Sequence, residues 1–322
     1  MDLAPAGFEL FTPGGQMRWG DCRFELNPPP GGETDFAVVL FNARPFDRFR
    51  CAPENTLFIA GEPLEKKVYA QGFYRQFGHV LDTHAMSGHP GLILGAPGLN
   101  WHVGLDLMTR TYRYGYDHLA ALPYPEKENR ISVICSNANK TPGQRQRLAL
   151  LEQLKHRLGD RLVHFGKGFE PIDDKMDAIL PYRLHLVLEN SQASNYWTEK
   201  IADAYLGWAY PVYLGCPNLG DFFPTGSFTA IADDRIDETT DTIRRLLDSS
   251  PSETQQEAVA NARALILDEY NPFAWSARWA QHLYAPAPKY PVTIRIHKAF
   301  RRFPRGLLYR LRQWLAANGR RS

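Results

Sequence analysis

Polar and ionisable side chains crowd the stretch ENSQASNYWTEK, Glu189 to Lys200, which joins an apolar run to a helical pattern. From Ile201 onward, apolar residues recur at i, i+3, i+4 and i+7, which indicates a helix packed on a sheet. Thr198 is the predicted N-cap, so Glu199 and Lys200 fall in the first helical turn. That turn offers unpaired backbone N–H groups and the positive end of the helix dipole, and both favour an anion. Because the dipole disfavours a cation there, a bound phosphate best explains Lys200.

The predicted strand before this stretch ends where the polar residues begin. Glu189 and Asn190 follow the apolar run RLHLVL, and in open α/β sheets ligands bind at the carboxyl ends of the strands. The stretch is therefore a candidate site for a nucleotide diphosphate. A well-capped helix explains the same residues, since Glu199 favours a helix start, Asn190 can complete a turn and Tyr196 can belong to the core. The residues alone leave both interpretations open.

A second candidate lies in SNANKTPGQR, Ser136 to Arg145, which also follows a predicted strand. Thr141 and Pro142 suit the N-cap and the first helical residue, and Gly159 suits the end of the helix. The predicted buried side of this helix carries Leu148, Leu151, Leu154 and Leu158. Arg145 stands near the helix start, so it is a second candidate for binding a phosphate. A solvated surface arginine is the alternative.

Short apolar runs alternate with helical patterns along the chain. The predicted strands are residues 36–41, 56–60, 131–135, 161–165, 183–188, 211–215 and 228–232. Helices are predicted around residues 144–157 and after Thr198. This alternation indicates βαβ units and parallel sheets covered by helices, an α/β fold. Between Gly61 and Trp101, the many Gly, Pro, His and aromatic residues predict loops at the strand ends.

The length of 322 residues exceeds what one hydrophobic core usually supports, so two domains are expected. The stretch LPYPEKENR, Leu122 to Arg130, interrupts the pattern with two prolines and mixed charge. We predict an N-terminal domain over residues 1–125, a second domain over residues 126–288 and a tail over residues 289–322.

Composition predicts a folded, water-soluble protein, with 44% hydrophobic and 22% charged residues. The first residues lack a basic region followed by an apolar core, and no segment approaches the about 18 apolar residues of a spanning helix. A cytoplasmic location is therefore expected. The four cysteines lack metal-ligand spacing and are predicted to be reduced and mostly buried thiols.

The basic residues are concentrated at the end of the chain. From Lys289 onward there are ten basic residues and no acidic one, so this tail carries +10 and the remainder −8. Arg305 to Ala316, RGLLYRLRQWLA, places apolar residues on one helical face and arginines on much of the other. Such a helix can dock on an anionic membrane surface, here the inner face of the cytoplasmic membrane, and packing on the body is the alternative. Nucleic acid is not an expected partner, because the body is acidic.

The run LVLENSQASNYWTEKIADAYLGWAYPVYLGCPN, Leu186 to Asn218, resembles the donor-binding signature of glycosyltransferase family 10, the α-1,3/1,4-fucosyltransferases. Val163 to His185 and Phe58 to Gly104 are similar to its flanking segments. The resemblance implies the GT-B arrangement, with two Rossmann-like domains facing a cleft. It also implies that the C-terminal domain binds GDP-fucose, that the N-terminal domain receives the acceptor, and that transfer inverts the sugar without a catalytic metal. No cofactor is then expected beside the donor substrate GDP-fucose.

The resemblance also implies donor-binding roles for residues of both candidate stretches. Lys200 and Arg145 would bind the diphosphate, and Glu199 would bind hydroxyls of the sugar or ribose. The rest of the implied donor site consists of Glu189, Asn190 and Tyr196.

On the acceptor side, the resemblance implies a glutamate as the base. Glu62, in IAGEP directly after TLFIA, takes the position of the family's catalytic glutamate. Because this sequence has no ESP triplet, Glu65 is the alternative base. His79 and His84 are weaker candidates, expected to shape the acceptor side by hydrogen bonding.

These observations lead to a hypothesis of fucose transfer from GDP-fucose to a hydroxyl of a surface-polysaccharide or lipopolysaccharide type of glycan acceptor. One alternative keeps the fold and changes the donor to another nucleotide sugar. The other is a non-catalytic, membrane-associated protein that binds a nucleotide.

Overall fold

The chain divides into two compact units, each discontinuous in sequence. The computed structural model describes residues 6–44, 47–98 and 100–300. Unit 1 comprises residues 1–24 and 98–275, and unit 2 comprises residues 25–97 and 276–322. The boundaries of these units differ from those of the predicted domains, which were continuous over residues 1–125 and 126–288.

Hydrogen bonds explain why residues 98–125 belong to the same unit as the residues that follow them in the chain. The backbone N–H groups of His102 and Val103 donate to Asp203 Oδ1 at 2.6 and 3.0 Å. Gly104 N donates to the buried Asp174 carboxylate at 2.9 Å. Two buried carboxylates, about 70 and 100 residues further along the chain, thus accept the hydrogen bonds of these three backbone N–H groups. Local sequence patterns do not reveal such long-range pairs.

Unit 1 contains a parallel sheet whose strands lie in the order β12-β11-β10-β8-β9. Their bounds are β8 Glu128–Ile134, β9 Leu162–Phe165, β10 Tyr182–Leu188, β11 Tyr210–Leu214 and β12 Thr229–Ala230. A short antiparallel pair, β1 Arg18–Trp19 and β2 Cys22–Arg23, precedes it in the chain. All residues of β11 and nearly all of β10 are buried, as expected for strands covered on both faces.

The helices of unit 1 connect and cover these strands. They are α2 Tyr116–Ala121, α3 Pro142–Leu158, α4 Glu199–Leu206, α5 Ile236–Asp248 and α6 Glu253–Asp268. A further helix, α7 Pro272–Leu283, begins in unit 1 but belongs to unit 2 from residue 276 onward. The predicted caps are confirmed. The hydroxyl of Thr141 accepts the Gln144 N–H in a reciprocal capping box, and Thr198 Oγ1 accepts the Lys200 N–H. Gly159 ends α3 with φ 55°.

The strand order gives the sheet of unit 1 a switch point. From β8 the chain runs to its neighbour β9 on one side, then crosses back to β10 on the other side and continues to β11 and β12. The direction of winding therefore reverses between β8 and β10. In open α/β sheets, ligands bind outside the carboxyl ends of the strands at such a point.

Unit 2 contains a second parallel sheet, in the order β3-β5-β6-β7. Its strands are β3 Ala37–Leu40, β5 Thr56–Ile59, β6 His79–Asp82 and β7 Leu92–Leu94, and the four-residue helix α1 Gln71–Tyr74 lies between β5 and β6. A separate antiparallel pair joins β4 Asp47–Cys51 to β13 Tyr290–Ile294. The predicted α/β class with parallel sheets in both halves is confirmed, and the cleft between domains stays a prediction.

Two sequence expectations differ from the structure of unit 2. The stretch from Gly61 to Trp101 is not only loop, because it contains α1, β6 and β7. These elements have three or four residues each, too short for a period to show between glycines and prolines. The start of the predicted tail is also not a separate segment. Residues 290–294 form β13, and Lys289 pairs with Asp35 at 2.6 Å.

The predicted amphipathic helix over residues 305–316 lies outside the described residues. In the described part of the chain, no helix combines the length and the apolar character that crossing a membrane requires. The four cysteines, all described, are free, and Cys51, Cys135 and Cys216 are buried, as predicted.

Lys127 is a half-buried cation in unit 1 that contacts backbone carbonyls. Its Nζ donates to the backbone carbonyls of Leu180, Tyr182 and Gly207 at 2.6, 3.1 and 2.9 Å. The ammonium therefore ties the start of β8 to the start of β10 and the end of α4. Burial lowers the pKa of Lys127 to about 7.

We expect this lysine to make stability depend on pH. Its pKa in the unfolded chain is about 10.4, so between pH 7 and that value the unfolded chain binds a proton that the folded protein lacks. The free energy of unfolding should then rise with pH, by up to about 1.4 kcal/mol per pH unit. Urea unfolding from about pH 7 to about pH 9 measures this slope, with Lys127→Met as the reference that removes it. An unchanged slope in Lys127→Met would contradict the assignment.

Candidate functional site

The end of β10 carries a buried carboxylate that organises the start of α4. Both oxygens of Glu189 accept the Thr198 hydroxyl, at 2.9 and 2.8 Å, and Oε1 also accepts the Thr198 N–H at 2.9 Å. The side chain of Glu189 is fully buried. One carboxylate therefore fixes the residue that caps α4, which sets where the first helical turn begins.

Lys200 lies in that turn and contacts three oxygens. Its Nζ is 2.8 Å from Thr198 Oγ1, 3.1 Å from Glu189 Oε2 and 3.3 Å from Glu199 Oε1. The side chain of Lys200 is 21% exposed and that of Glu199 is 19% exposed. The structure thus brings together the predicted site residues Glu189, Glu199 and Lys200, with one edge of the cluster open to solvent.

The electrostatics of this cluster keep Glu199 and Lys200 charged. Burial opposes the ionised form of Glu199, but Lys200 and then Lys175 outweigh it and hold the pKa of that carboxyl well below its usual range. Burial likewise opposes the charged form of Lys200, yet the carboxylates of Glu189 and Glu199 raise its pKa above the usual value. The site therefore offers a permanent ammonium and a permanent carboxylate side by side.

The turn after β11 is shaped around Glu189. A Cβ on Gly215 would lie 2.6 Å from Glu189 Cγ and 2.4 Å from the Tyr213 hydroxyl oxygen. That hydroxyl accepts the Cys216 N–H at 2.9 Å. Glycine is therefore the residue that lets the chain pass this close to the carboxylate.

We expect Gly215→Ala to displace Glu189 and to lower the free energy of unfolding by about 1–3 kcal/mol, the usual cost of overpacking. Nucleotide affinity should fall with it, because Glu189 sets the position of Thr198 and Lys200. Gly220→Ala is the matched control, since a Cβ there meets nothing within 4 Å. Urea unfolding measures the free energy of unfolding of both variants, and titration with GDP measures their nucleotide affinity. Equal behaviour of the two variants would refute the steric argument.

The start of α3 lies against the end of β10. A Cβ on Gly143 would lie 2.8 Å from the backbone oxygen of Asn190. Arg145 is exposed in this first turn, and its Nη1 donates to the carbonyls of Asn139 and Lys140 at 3.1 and 3.2 Å. Asn190 is exposed as well. Arg145 and Asn190 thus both occur at the carboxyl edge of the sheet, and their donor-binding roles stay predictions.

Arg147 is a candidate that sequence reasoning missed. It is buried on α3, and its Nη1 donates to the Leu188 carbonyl at the end of β10, at 3.4 Å. Within the described residues its Nε has no hydrogen-bond partner. Arg147 and Lys200 both counter the pKa increase that burial causes in the Cys135 thiol, which indicates that both cations face the end of β8.

A sequence signal for Arg147 did exist. Arg147 is three, four and seven residues before Leu150, Leu151 and Leu154, which are all buried, so it belongs to the apolar stripe. The predicted stripe contained Leu148 instead, which is only half-buried. A cation on a buried face without a carboxylate partner is costly unless a ligand supplies the negative charge.

The loop between β10 and α4 is held by paired amides. Asn195 has φ 61°, and its N–H donates to Asn218 Oδ1 at 2.8 Å, while Asn218 Nδ2 donates to Asn195 Oδ1 at 2.9 Å. Asn218 follows β11, so the loops after two neighbouring strands are joined. Tyr196 is next in the chain and is 6% exposed. Its predicted donor-binding role is untested, and its burial suits a core aromatic equally.

In unit 2 the candidate bases lie after neighbouring parallel strands. Glu62 follows β5, its side chain is 28% exposed, and Oε2 is 2.7 Å from Lys66 Nζ. Glu65 is exposed in the same loop. His84 follows β6, and β5 pairs with β6 in parallel, so Glu62 and His84 share the carboxyl edge of this sheet. His79 begins β6 and lies at the opposite edge.

The contacts of His84 indicate a positioning role in the loop after β6. Its Nδ1 accepts the Met86 N–H at 3.3 Å, which leaves the ring proton on Nε2. Nε2 faces the buried Asp82 carboxylate at 3.5 Å, and Tyr74 donates to the same carboxylate at 2.9 Å. His84 therefore positions the loop after β6, and Glu62 is the more accessible base candidate.

No group of three or more His, Cys, Asp or Glu side chains in the described part of the chain is arranged to hold a metal ion. The charged groups at the carboxyl end of β10 are instead ammonium, guanidinium and carboxylate groups, which suit hydrogen bonding to phosphate and hydroxyl oxygens.

Unit 1 is thus an α/β unit with charged, hydrogen-bonding side chains at its switch point, where open α/β sheets bind ligands. Residues 124–253 match the family model "Glycosyltransferase family 10 (fucosyltransferase) C-term". The predicted resemblance to this family therefore agrees with a match to the family model over this segment.

A curated relative and two solved structures are similar to the chain. The alpha-(1,3)-fucosyltransferase FucT of Helicobacter pylori is 31% identical over 123 residues, which are 38% of this chain and 25% of that protein. The match thus spans a quarter of the relative's length. A structure of alpha1,3-fucosyltransferase with GDP-fucose has 16% identity and a TM-score of 0.45, over 82% of this chain and 93% of that one. A structure of TarM has 11% identity and a TM-score of 0.43, over 72% and 50%.

Proposed function

We propose that the protein is an inverting glycosyltransferase that moves fucose from GDP-fucose to a hydroxyl of a glycan acceptor, of surface-polysaccharide or lipopolysaccharide type. The observation that carries this proposal is the contact set of Glu189, Thr198, Glu199 and Lys200 at the carboxyl end of β10. Its position inside the segment that matches the family 10 model supports it. The name of the Helicobacter pylori relative supports fucose as the transferred sugar.

The reaction needs positive charge where the leaving group forms. The acceptor oxygen forms a bond to the anomeric carbon, the bond from that carbon to the phosphate oxygen breaks, and GDP leaves with the electron pair. Lys200 and Arg147, with Arg145 at the rim, are the cations proposed to stabilise the growing charge on the diphosphate. Because they are fixed before the reaction, they stabilise the transition state more than solvent would.

Lys200 keeps its place through Glu189 and Thr198 rather than through the ligand. Three oxygens within 3.3 Å direct its ammonium, so the position of the charge is set before the donor arrives. Glu199 shares that ammonium and retains solvent exposure. We assign Glu199 to the hydroxyls of the sugar or ribose, and Asn190 and Tyr196 to the nucleotide.

The proton of the acceptor hydroxyl must go to a base, and Glu62 is the residue proposed for this role. Its partial exposure and its position after a parallel strand support the proposal. Lys66, at 2.7 Å, can orient the carboxylate. Glu65 is the alternative, and it lies in the same loop.

The location of the protein is part of the proposal. We infer a cytoplasmic enzyme that associates with the inner face of the membrane through its basic residues beyond position 300. The seven arginines in residues 301–322 support attraction to anionic lipid. No cofactor and no nucleic acid are proposed.

Calorimetric titration with GDP, GDP-fucose, GDP-mannose and UDP-glucose tests the donor, and GDP release in the presence of glycan acceptors tests transfer. Binding confined to guanine ligands, with release that depends on the acceptor, is the expected result. Binding to UDP-glucose would favour another nucleotide sugar. Binding of GDP without turnover on any acceptor would favour the non-catalytic alternative. Binding of none of the four would overturn the proposal.

A further inference from the structure

His102 lies beside Glu199 although it is far away in the sequence. It belongs to unit 1 but lies outside residues 124–253, which match the family model. Its backbone N–H donates to Asp203 Oδ1 at 2.6 Å, and the next N–H, of Val103, donates to the same oxygen at 3.0 Å. Two hydrogen bonds to one buried carboxylate therefore fix the backbone that carries the imidazole.

The other oxygen of Asp203 continues the same network. Lys175 Nζ is 2.7 Å from Asp203 Oδ2 and 3.7 Å from Glu199 Oε1. Asp203 is one turn along α4 from Glu199, so both carboxylates project from one side of the helix. Lys175 thus lies near both carboxylates, that of Asp203, which holds the backbone of His102, and that of Glu199.

The imidazole and the Glu199 carboxylate leave a gap suited to a small polar group. His102 Nδ1 is 3.9 Å from Glu199 Oε1, too far for a hydrogen bond. The His102 side chain is 29% exposed and that of Glu199 is 19% exposed. A hydroxyl oxygen at about 2.8 Å from each atom would see them at an angle of roughly 90°, which one hydroxyl group can satisfy as donor and acceptor.

We propose that His102 is a specificity-determining residue that binds a hydroxyl of the donor sugar together with Glu199, with Asp203 and Lys175 as its positioning residues. This inference rests on the proposed function and adds a sugar contact to it. The ligand chemistry is a sugar hydroxyl that donates to the Glu199 carboxylate and accepts the N–H of the imidazole.

The charges around His102 favour its neutral form. Burial and then Lys175 lower the pKa of His102, with Lys200 acting in the same direction, while Glu199 and Asp203 act in the opposite one. A neutral imidazole keeps one N–H, and when that proton is on Nδ1 it can be donated to the hydroxyl oxygen whose own proton goes to Glu199. It also leaves the Glu199 carboxylate available to the ligand instead of closing an ion pair with it.

Titration of wild-type protein and His102→Ala with GDP and with GDP-fucose tests the assignment. We expect the affinity for GDP-fucose to fall about three- to tenfold, the usual effect of one lost hydrogen bond, and the affinity for GDP to stay unchanged. His102→Gln should recover part of the loss, because its amide both donates and accepts. His156→Ala, at an exposed histidine on α3, is the matched control.

The outcomes separate this inference from the function on which it rests. Unchanged GDP-fucose affinity in His102→Ala, or an equal loss for GDP and GDP-fucose, would overturn the sugar contact while leaving the transferase proposal intact. Failure of the wild-type protein to bind either ligand would overturn the proposed function, and the sugar contact with it. Lys175→Met should reproduce the selective loss for GDP-fucose, a readout that a general loss of stability would not produce.

Discussion

Replacing Lys200 with methionine is expected to lower the rate of fucose transfer by about 10²–10³-fold, the usual effect of removing one fixed group that stabilises transition-state charge. The ammonium lies within 3.3 Å of three oxygens and is the most firmly placed cation of the site. Methionine fills similar space without charge. Steady-state rates with saturating GDP-fucose and acceptor measure the effect.

The same change also leaves the buried Glu189 without its cation, which can cost about 3–5 kcal/mol of stability. Glu189→Gln combined with Lys200→Met removes both charges, and the glutamine oxygen can still accept the Thr198 N–H. We expect this double variant to regain most of the lost stability and none of the lost activity. Lys155→Met, at an exposed lysine on α3, is the control and should keep both. Wild-type transfer by the folded double variant would show that Lys200 does not act on the diphosphate.

Replacing Glu62 with glutamine is expected to lower the transfer rate by about 10²–10⁴-fold, the range for loss of a general base. Glutamine keeps the size of the side chain but cannot take a proton. Because Glu62 is partly exposed and paired with an exposed lysine, the stability should change by less than about 1 kcal/mol. GDP-fucose affinity should also stay near the wild-type value, since this change removes only the base.

Glu65→Gln is the matched control for this experiment, because it makes the same chemical change in the same loop. Rates and GDP-fucose affinities of both variants should be measured over a range of pH. If Glu65→Gln loses activity and Glu62→Gln retains it, the alternative base is correct. If both retain full activity, the base is not in this loop.

Local sequence patterns predicted much of unit 1 because the interactions behind them are local. Thr141 and Thr198 cap their helices from three and two positions away, within the reach of one side chain. Strands such as β10 and β11 are buried on both faces and read as continuous apolar runs. The sequence also placed Glu189 at the end of a strand and Glu199 and Lys200 at the start of the next helix, whereas the contact of Glu189 with Thr198 came from the structure.

The short elements of unit 2 could not be predicted in the same way. Strand β7 has three residues and α1 has four, so neither completes enough of a period to be recognised. Arg147 was missed for a different reason. Its position on the leucine stripe was visible, but whether a buried guanidinium meets a carboxylate depends on which strand end packs against α3.

The sequence by itself determined the α/β class, the helix caps, the resemblance to glycosyltransferase family 10, and the grouping of Glu189, Glu199 and Lys200, since each depends on residues near one another in the chain. Only the tertiary structure decided the order of the strands, which puts the switch point between β8 and β10. It also decided that Asp203 holds the backbone of His102, 101 residues away. Contacts over such distances depend on how the sheet is wound, and a periodic pattern along one strand or helix carries no information about its neighbours.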